Sequence, residues 1–454
     1  MTTMIHTALK RGAQCIRPQT PISHKSAIRA FSGMSSSGLS QAQSEVRDSI
    51  QKICENFPDE YWSEKDRKSE YAGDLHRELA NAGYLGICMP SEYGGSDLGV
   101  SEATIMFETI SESGAGIAGC QTVHANVYAT VPILRFASRE QKARYLPDII
   151  SGKERTCFGV TEPNTGLDTL KLKTKAEKRA DPRTGRSSYV VSGQKIWITN
   201  AQAAERMVLL ARTTPLEEIL KDKQNTGLSL FYCDIARGKR EGSVVAQPIH
   251  KMGGRSVDAN EVFFDKFEIA ADDLIGSEGD GFKIILHGMK KVIRREALGL
   301  GYAALRRATE YAKARHVFGR AIGQNQAIQH QLAQSWCALE AAKMLTLHAA
   351  RRYDEVVGIG DTYDSNRTSE SDEGKAGIQA EVGALCNAAK YVAAEAAFEA
   401  CERAVMTHGG MGYASEFHVE RYLRESFVPR LAPVSREMIL NFIGQKVLGL
   451  PKSY

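Results

Sequence analysis

The chain changes periodicity twice, and those two switches limit what it can fold into. Up to residue 150 apolar positions recur at helical spacing, as in Ala42–Phe57, Leu75–Ala82, Ala103–Glu112 and Gln141–Ile150. From Thr156 the pattern becomes short runs rich in β-branched and aromatic residues. These are Cys157–Val160, Ser188–Val191, Lys195–Ile198, Met207–Leu210, Leu228–Tyr232 and Glu261–Phe264. Turn signals such as Pro182-Arg183-Thr184-Gly185 and Ser192-Gly193 separate them. From Gly281 helical spacing returns in four amphipathic runs, Ala304–Arg315, Ala327–Arg352, Glu381–Val405 and Val434–Leu448. The expected fold class is multi-domain α + β. It has an N-terminal helical domain (40–155), a central antiparallel β-domain (156–270) and a C-terminal four-helix bundle (278–450). The polar segment Ile359–Gly377 lacks apolar spacing and reads as an insertion between two helices.

Composition excludes several function classes. No stretch approaches the roughly 20 apolar residues of a membrane helix. Net charge is +4, and Lys10, Arg11, Arg17, Lys25 and Arg29 precede the first acid, Glu45. Without those five cations the remainder is near neutral, which gives no reason to expect nucleic acid as a partner. Residues 1–34 have the composition of a mitochondrial transit peptide or of a basic tail, so the expected address is the mitochondrial matrix. A peroxisome is the alternative, although the final Pro451-Lys452-Ser453-Tyr454 is not a peroxisomal signal. None of the nine cysteines falls in a Cys-x-x-Cys pair or at metal-ligand spacing. They read as reduced, mostly buried residues, and no metal is indicated. His124, His330 and His408 sit among apolar neighbours in sequence and read as structural.

Four motifs then occur in order. They are Phe158-Gly159-Val160-Thr161-Glu162-Pro163, Trp197-Ile198-Thr199-Asn200, Arg315-His316-Val317-Phe318-Gly319-Arg320 and Gly409-Gly410-Met411-Gly412-Tyr413. Each alone is ordinary; two core strands with an aromatic, or a glycine turn ending a helix, would account for them singly. In this order, across residues 40–450, they resemble the acyl-CoA dehydrogenase family. The resemblance implies non-covalent FAD and α,β-desaturation of an acyl-CoA thioester. Phe158, Val160 and Thr161 would run along the flavin ring, with Trp197, Ile198 and Thr199 on the neighbouring strand. Hydroxyls and an indole supply the hydrogen bonds and apolar wall that a flavin needs. Arg315, Phe318 and Gln326 would reach the cofactor of a neighbouring subunit, with Arg315 on the pyrophosphate. Gly409 and Gly410 would let backbone approach it. Ser435 and Glu437 fall at further FAD contacts. The resemblance also implies a homotetramer and an electron-transferring flavoprotein as acceptor.

The reaction needs a carboxylate to remove the α-proton. Most members carry it in a loop that here reads Leu431-Ala432-Pro433-Val434-Ser435, without an acid. If Pro433 stands at the base position, its missing N–H also removes a donor to the thioester carbonyl; if Ala432 does, the donor survives. The isovaleryl-type branch carries the base on the first long C-terminal helix. Here that stretch, His287–Glu296, is about three residues shorter, which turns a helix face by about 300°. Glu296 is the nearest acid and the candidate base. Its alternative roles are a surface partner of Arg294 or Arg295, or a polar packing group. Leu167 and Arg294 are the candidate substrate contacts. Lys251-Met252-Gly253-Gly254-Arg255 either touches the CoA side or forms a turn.

Overall fold

The computed structural model describes residues 38–180, 185–290, 295–358 and 372–452. The basic stretch 1–34, Arg294 and residues 359–371 lie outside them. Helix α1 (Gln41–Cys54) begins at a reciprocal cap, with Ser40 Oγ accepting from the Gln43 N–H at 3.2 Å and Gln43 Oε1 from the Ser40 N–H at 3.1 Å. Helices α2 (Asp59–Lys68), α3 (Gly73–Asn81), α4 (Val100–Ile110), α5 (Gly116–His124), α6 (Val131–Phe136) and α7 (Arg139–Ile150) follow. A π-helical turn, Ser111–Ala115, joins α4 to α5, with Gly114 and Gly116 at positive φ (112° and 66°).

The middle strands are β1 (Thr156–Gly159), β2 (Lys175–Ala180), β3 (Ser187–Thr199), β4 (Arg206–Arg212) and β5 (Leu228–Asp234). After α8 (Ile235–Glu241) come β6 (Val244–Pro248), β7 (Ala259–Ala270) and β8 (Leu274–Ile275). The sheet runs β6-β7-β3-β2-β4-β5-β8, and β1 pairs with β4. Pairing is antiparallel except for β1 with β4 and the single step Lys175–Arg212 between β2 and β4. The continuous apolar run of β4 has a physical cause, because both its faces are covered. Met207 and Leu209 join a core with Tyr189, Phe231 and Phe267. Val208 and Leu210 face the other way, with Tyr145, Leu146 and Ile149 of α7 and Ile284 and Ile285 of the next helix.

That helix is α9 (Gly281–Lys290), followed by α10 (Arg295–Ala314). A two-residue hairpin, β9 (His316–Val317) and β10 (Arg320–Ala321), leads to α11 (Gln326–Val357), α12 (Asp372–His408), α13 (Val419–Ser426), α14 (Val428–Leu431) and α15 (Arg436–Lys446). The helical core is built from small residues: Leu300, Ala303, Ala304 and Ala308 of α10 meet Cys401 and Ala404 of α12 and Tyr422 of α13. On Gly299 a Cβ would collide with the Glu108 carbonyl oxygen, so α10 crosses α4 backbone to backbone. Asp354, near the end of α11, caps α4 by accepting from the Val100 and Ser101 N–H groups, both at 2.8 Å. Arg135 donates to the last carbonyls of α11, those of Val357 and Gly358, at 3.3 Å each.

Two sequence expectations differ from the fold. Ser192-Gly193 is a bulge inside one continuous strand rather than a turn. Gly193 sits at φ 149°, and a Cβ there would press on Thr174 at 2.6 Å. His330 is exposed, whereas His408 is buried, hydrogen-bonded to the Ala404 carbonyl oxygen at 2.7 Å and stacked on Tyr311. Among the described residues all cysteines but Cys337 are buried. No described helix is long and apolar enough to cross a membrane.

His76 gives the fold an acid limit. It lies on the buried face of α3, and burial, helped by the Arg155 charge, pulls its imidazole down to about 4. The unfolded chain therefore takes up this proton first. The stability it supports is present above the ordinary histidine value of 6.5 and drains away as pH falls toward 4. The expected loss is about 3 kcal/mol by pH 4. Urea unfolding of wild type and His76→Gln between pH 7 and 4 should show a shallower slope in the variant. Equal slopes would refute the assignment.

Candidate active site

The site is built where β1 runs out beside the far end of β3. The Ile196 N–H donates to the Thr161 carbonyl at 2.9 Å, which brings the first two sequence motifs side by side. The register of β3 against β7 breaks between Lys195 and Ile198. Within that bulge Trp197 takes φ 62°, a left-handed conformation that a bulky residue adopts only when its surroundings force it. The Asn260 amide donates to the Ile198 carbonyl at 3.0 Å, and the Asn200 N–H donates to that of Asp258 at 3.0 Å. Those bonds hold the distortion. Its result is an indole 56% exposed on the sheet edge, next to Thr161 and the half-buried Phe158 and Val160. Ile198 instead points into the sheet core at 1% exposure, and its carbonyl is taken by Asn260, so it offers a ligand little.

Beneath this edge lies a pair that the motifs did not single out. The Lys195 ammonium is fully buried and donates to the Val160 carbonyl at 3.0 Å and to Glu162 Oε1 at 2.8 Å. Glu162 also accepts from the Lys173 and Thr174 N–H groups at 2.7 and 2.9 Å. Burial pulls Lys195 down to about 8 against the attraction of Glu162. For Glu162 burial works upward, but Lys195 and the backbone donors prevail and hold it below the ordinary carboxylate value. The one available sequence signal was a lysine placed mid-strand in a β-branched run.

The C-terminal motifs form two separate groups. Phe318 and Gly319 are the turn of the β9–β10 hairpin, both at positive φ (54° and 77°), and Phe318 is wholly exposed. Tyr311 stacks on His408 with ring centroids 4.2 Å apart, so Arg315 and the exposed Gly409-Gly410 leave the helical layer at the same end. A Cβ on either glycine would meet nothing within 4 Å. Gln326 is exposed in the first turn of α11. Ser435 caps α15, its Oγ accepting from the Met438 N–H at 3.4 Å, and Glu437 pairs with Arg436. Next to Ser435, the Val434 carbonyl is bound by Lys390 of α12. Lys390 and His408 are 18 residues apart on that helix, roughly 27 Å. Within one chain, Ser435 and Gly409 therefore stand at distant points.

Glu296 lies in the first turn of α10, one turn before the crossing at Gly299, and is 2% exposed. It is therefore no surface partner of Arg294 or Arg295. The loop Leu431–Ser435 carries no acid, and its nearest carboxylate, Glu395, is held between Arg430 (2.8 Å) and Arg436 (3.4 Å). A carboxylate so placed is a weak base. The Ala432 N–H is already used, bonded to the Val428 carbonyl at 3.0 Å, so neither Ala432 nor Pro433 donates to a ligand. Leu167 projects from the loop after β1 at 58% exposure. Lys251–Arg255 is a structural turn: Arg424 donates to the Met252 carbonyl at 3.0 Å, and the Arg255 N–H donates to Asp66 at 3.1 Å.

These residues fit FAD. The exposed indole and the half-buried Phe158 offer apolar surface for a flat ring. Thr161 and Thr199 are half-buried, and among the described residues no intramolecular hydrogen bond engages either hydroxyl. Gly409-Gly410 leaves room for close backbone approach. Among the described residues no group of three or more His, Cys, Asp or Glu side chains could hold a metal.

Known proteins agree with this geometry. Family profiles match in order along the chain: acyl-CoA dehydrogenase N-terminal domain over 40–153, middle domain over 157–267 and C-terminal domain over 279–448. The acyl-CoA dehydrogenase FadE12 of Mycobacterium tuberculosis (strain ATCC 25618 / H37Rv) is 30% identical over 418 residues, 91% of this chain and 98% of that protein. An acyl-CoA dehydrogenase of Bacillus subtilis (strain 168) is 32% identical over 387 residues, covering 85% and 92%. The solved butyryl-CoA dehydrogenase of Megasphaera elsdenii superposes with a TM-score of 0.78 at 27% identity, covering 90% of this chain and 99% of that one. These relatives are bacterial, from cells without mitochondria. They overturn the mitochondrial address expected from residues 1–34, where a run of cations without acids was the whole basis for it. Matched by all three domain profiles and by full-length relatives, the chain belongs to the acyl-CoA dehydrogenase family, a family of FAD-dependent oxidoreductases that act on acyl-CoA.

Proposed function

We propose that this protein desaturates an acyl-CoA thioester between its α- and β-carbons, giving the 2-enoyl-CoA, in fatty-acid or branched-chain acyl catabolism. The observation that carries this reading is Trp197, held in a left-handed conformation and exposed beside Thr161. Backbone distortion of this kind costs about 1–3 kcal/mol and concentrates at functional sites. Non-covalent FAD, when bound, supplies the acceptor for the β-hydride. Phe158, Val160, Thr161, Trp197 and Thr199 face its ring, and Leu167 borders the thioester. Glu296 takes the α-proton. The roughly 27 Å between Gly409 and Ser435 supports a cofactor gripped by two copies of the chain, with Arg315, Phe318, Gln326, Gly409 and Gly410 from one copy and Ser435 and Glu437 from the other. That arrangement favours the homotetramer, and electron-transferring flavoprotein is the acceptor that the family suggests. The three units 40–155, 156–270 and 278–450 remain the domain division of this reading.

The acid-free loop Leu431–Ser435 favours a second reading, a homologue that holds FAD but has lost its chemistry. One experiment separates the two. Purified yellow protein is mixed anaerobically with short, branched and long acyl-CoA thioesters, and absorbance of the oxidised flavin is followed. Bleaching by at least one substrate is expected. Yellow protein that no thioester bleaches would establish the silent homologue, and peroxide formed on admitting air would mark an oxidase.

A further inference from the structure

We propose that the buried Lys195–Glu162 pair is a positioning device for the cofactor, fixing at once the two chain segments that face the flavin. The inference rests on the site reading above and concerns residues that never touch the ring. Lys195 is the last residue of β3 in register with β7, opposite Val262, before the bulge. Two residues on, Trp197 is turned outward. The same ammonium holds the Val160 carbonyl, so the peptide leading into Thr161 and the strand leading into Trp197 hang from one buried charge. Glu162 completes the fixture. Its carboxylate joins Lys195 of β3 to the Lys173 and Thr174 N–H groups that precede β2, and its own carbonyl accepts from the Thr165 N–H at 3.1 Å. Thr174 in turn accepts, through its carbonyl, from the Arg212 N–H of β4 at 2.7 Å. Three chain segments thus meet at one carboxylate.

A structural explanation alone is insufficient. A buried ion pair is weak as a source of stability, because desolvation of both charges offsets their attraction, and apolar residues of similar size commonly hold a fold as well. An apolar pair, however, could not bind the Val160 carbonyl or the two backbone N–H groups. Orientation of those peptides is what the charged pair provides and an apolar pair does not. The arrangement matches what a binding site demands of its supporting residues, which is to lock the geometry of the groups that touch the ligand.

The test uses the full chain as Lys195→Met, Glu162→Gln and the double Lys195→Met/Glu162→Met. Thermal midpoints are read with and without FAD. The dissociation constant comes from FAD titration of deflavinated protein, and the visible spectrum is taken at saturating FAD. The single variants should lose thermal stability and FAD affinity together. The double variant should recover the cofactor-free midpoint of wild type while binding FAD at least about tenfold more weakly, with a shifted flavin band. Glu162→Gln, which keeps the volume and one acceptor, decides the matter if the methionine pair does not fold. A double variant that regains wild-type affinity and spectrum, or a Glu162→Gln protein indistinguishable from wild type in both, would overturn the inference. Wild-type protein that takes up no FAD would overturn the site itself, and this inference with it.

Discussion

Glu296→Gln should slow anaerobic flavin bleaching by about 10²–10⁴-fold, the usual contribution of a positioned general base, while FAD uptake and thermal midpoint stay close to wild type. The substitution keeps volume and hydrogen-bonding shape, so packing at this buried position is preserved and the change reports on proton transfer. Glu296 is singled out by exclusion as well as by burial. The loop Leu431–Ser435 lacks an acid, and Glu395 is neutralised by two guanidiniums. A water-filled surface carboxylate would have a poor environment for this task, whereas a buried one can be tuned toward neutral pH. Bleaching at the wild-type rate in the variant would remove Glu296 from the reaction.

Arg421→Met should destabilise the protein by about 3–5 kcal/mol, because it strands a buried carboxylate. Arg421 and Glu425 on α13 have side chains only 3% and 1% exposed, 3.5 Å apart. Arg421 also donates to the Gly114 carbonyl at 2.7 Å, and the Ala118 N–H donates to Glu425 at 3.2 Å. The pair therefore ties α13 to the π-helical turn and to the start of α5. Burial raises the Glu425 carboxyl above its ordinary value even with Arg421 beside it. The double variant Arg421→Met/Glu425→Leu should return to within about 1 kcal/mol of wild type in urea unfolding, since an apolar pair can replace a buried ionic one. A single variant that loses less than about 1 kcal/mol would show that the ion pair does not anchor this corner.

The three-part architecture was legible because burial leaves a period. Met207–Leu210 reads as an uninterrupted apolar run since β4 is covered on both faces. Lys175–Ala180 escaped notice because that strand buries only Ala176 and shows charge at its other positions. A glycine in a strand can mark a turn or a bulge, and at Gly193 local sequence does not separate them, because the deciding contact is with Thr174 from another segment. The site was half legible. Its motifs named the right edge, but strict alternation would place Lys195 and Trp197 on one face. The bulge puts Lys195 inside and Trp197 outside. Ile198 was misjudged as a ligand contact for the same reason. Glu296 followed two arginines in sequence and looked superficial, and only the close crossing of α10 over α4 buries it.

The double grip on the end of α11, with Asp354 on one side and Arg135 on the other, has a practical corollary. Strain entering from the stretch after Gly358 is absorbed there before it reaches the flavin edge. Doubling the length of that stretch costs only about 0.6 kcal/mol in closure entropy. It is thus a natural splice point, where a fluorophore tag or a fused module can be carried while the catalytic frame stays as it is.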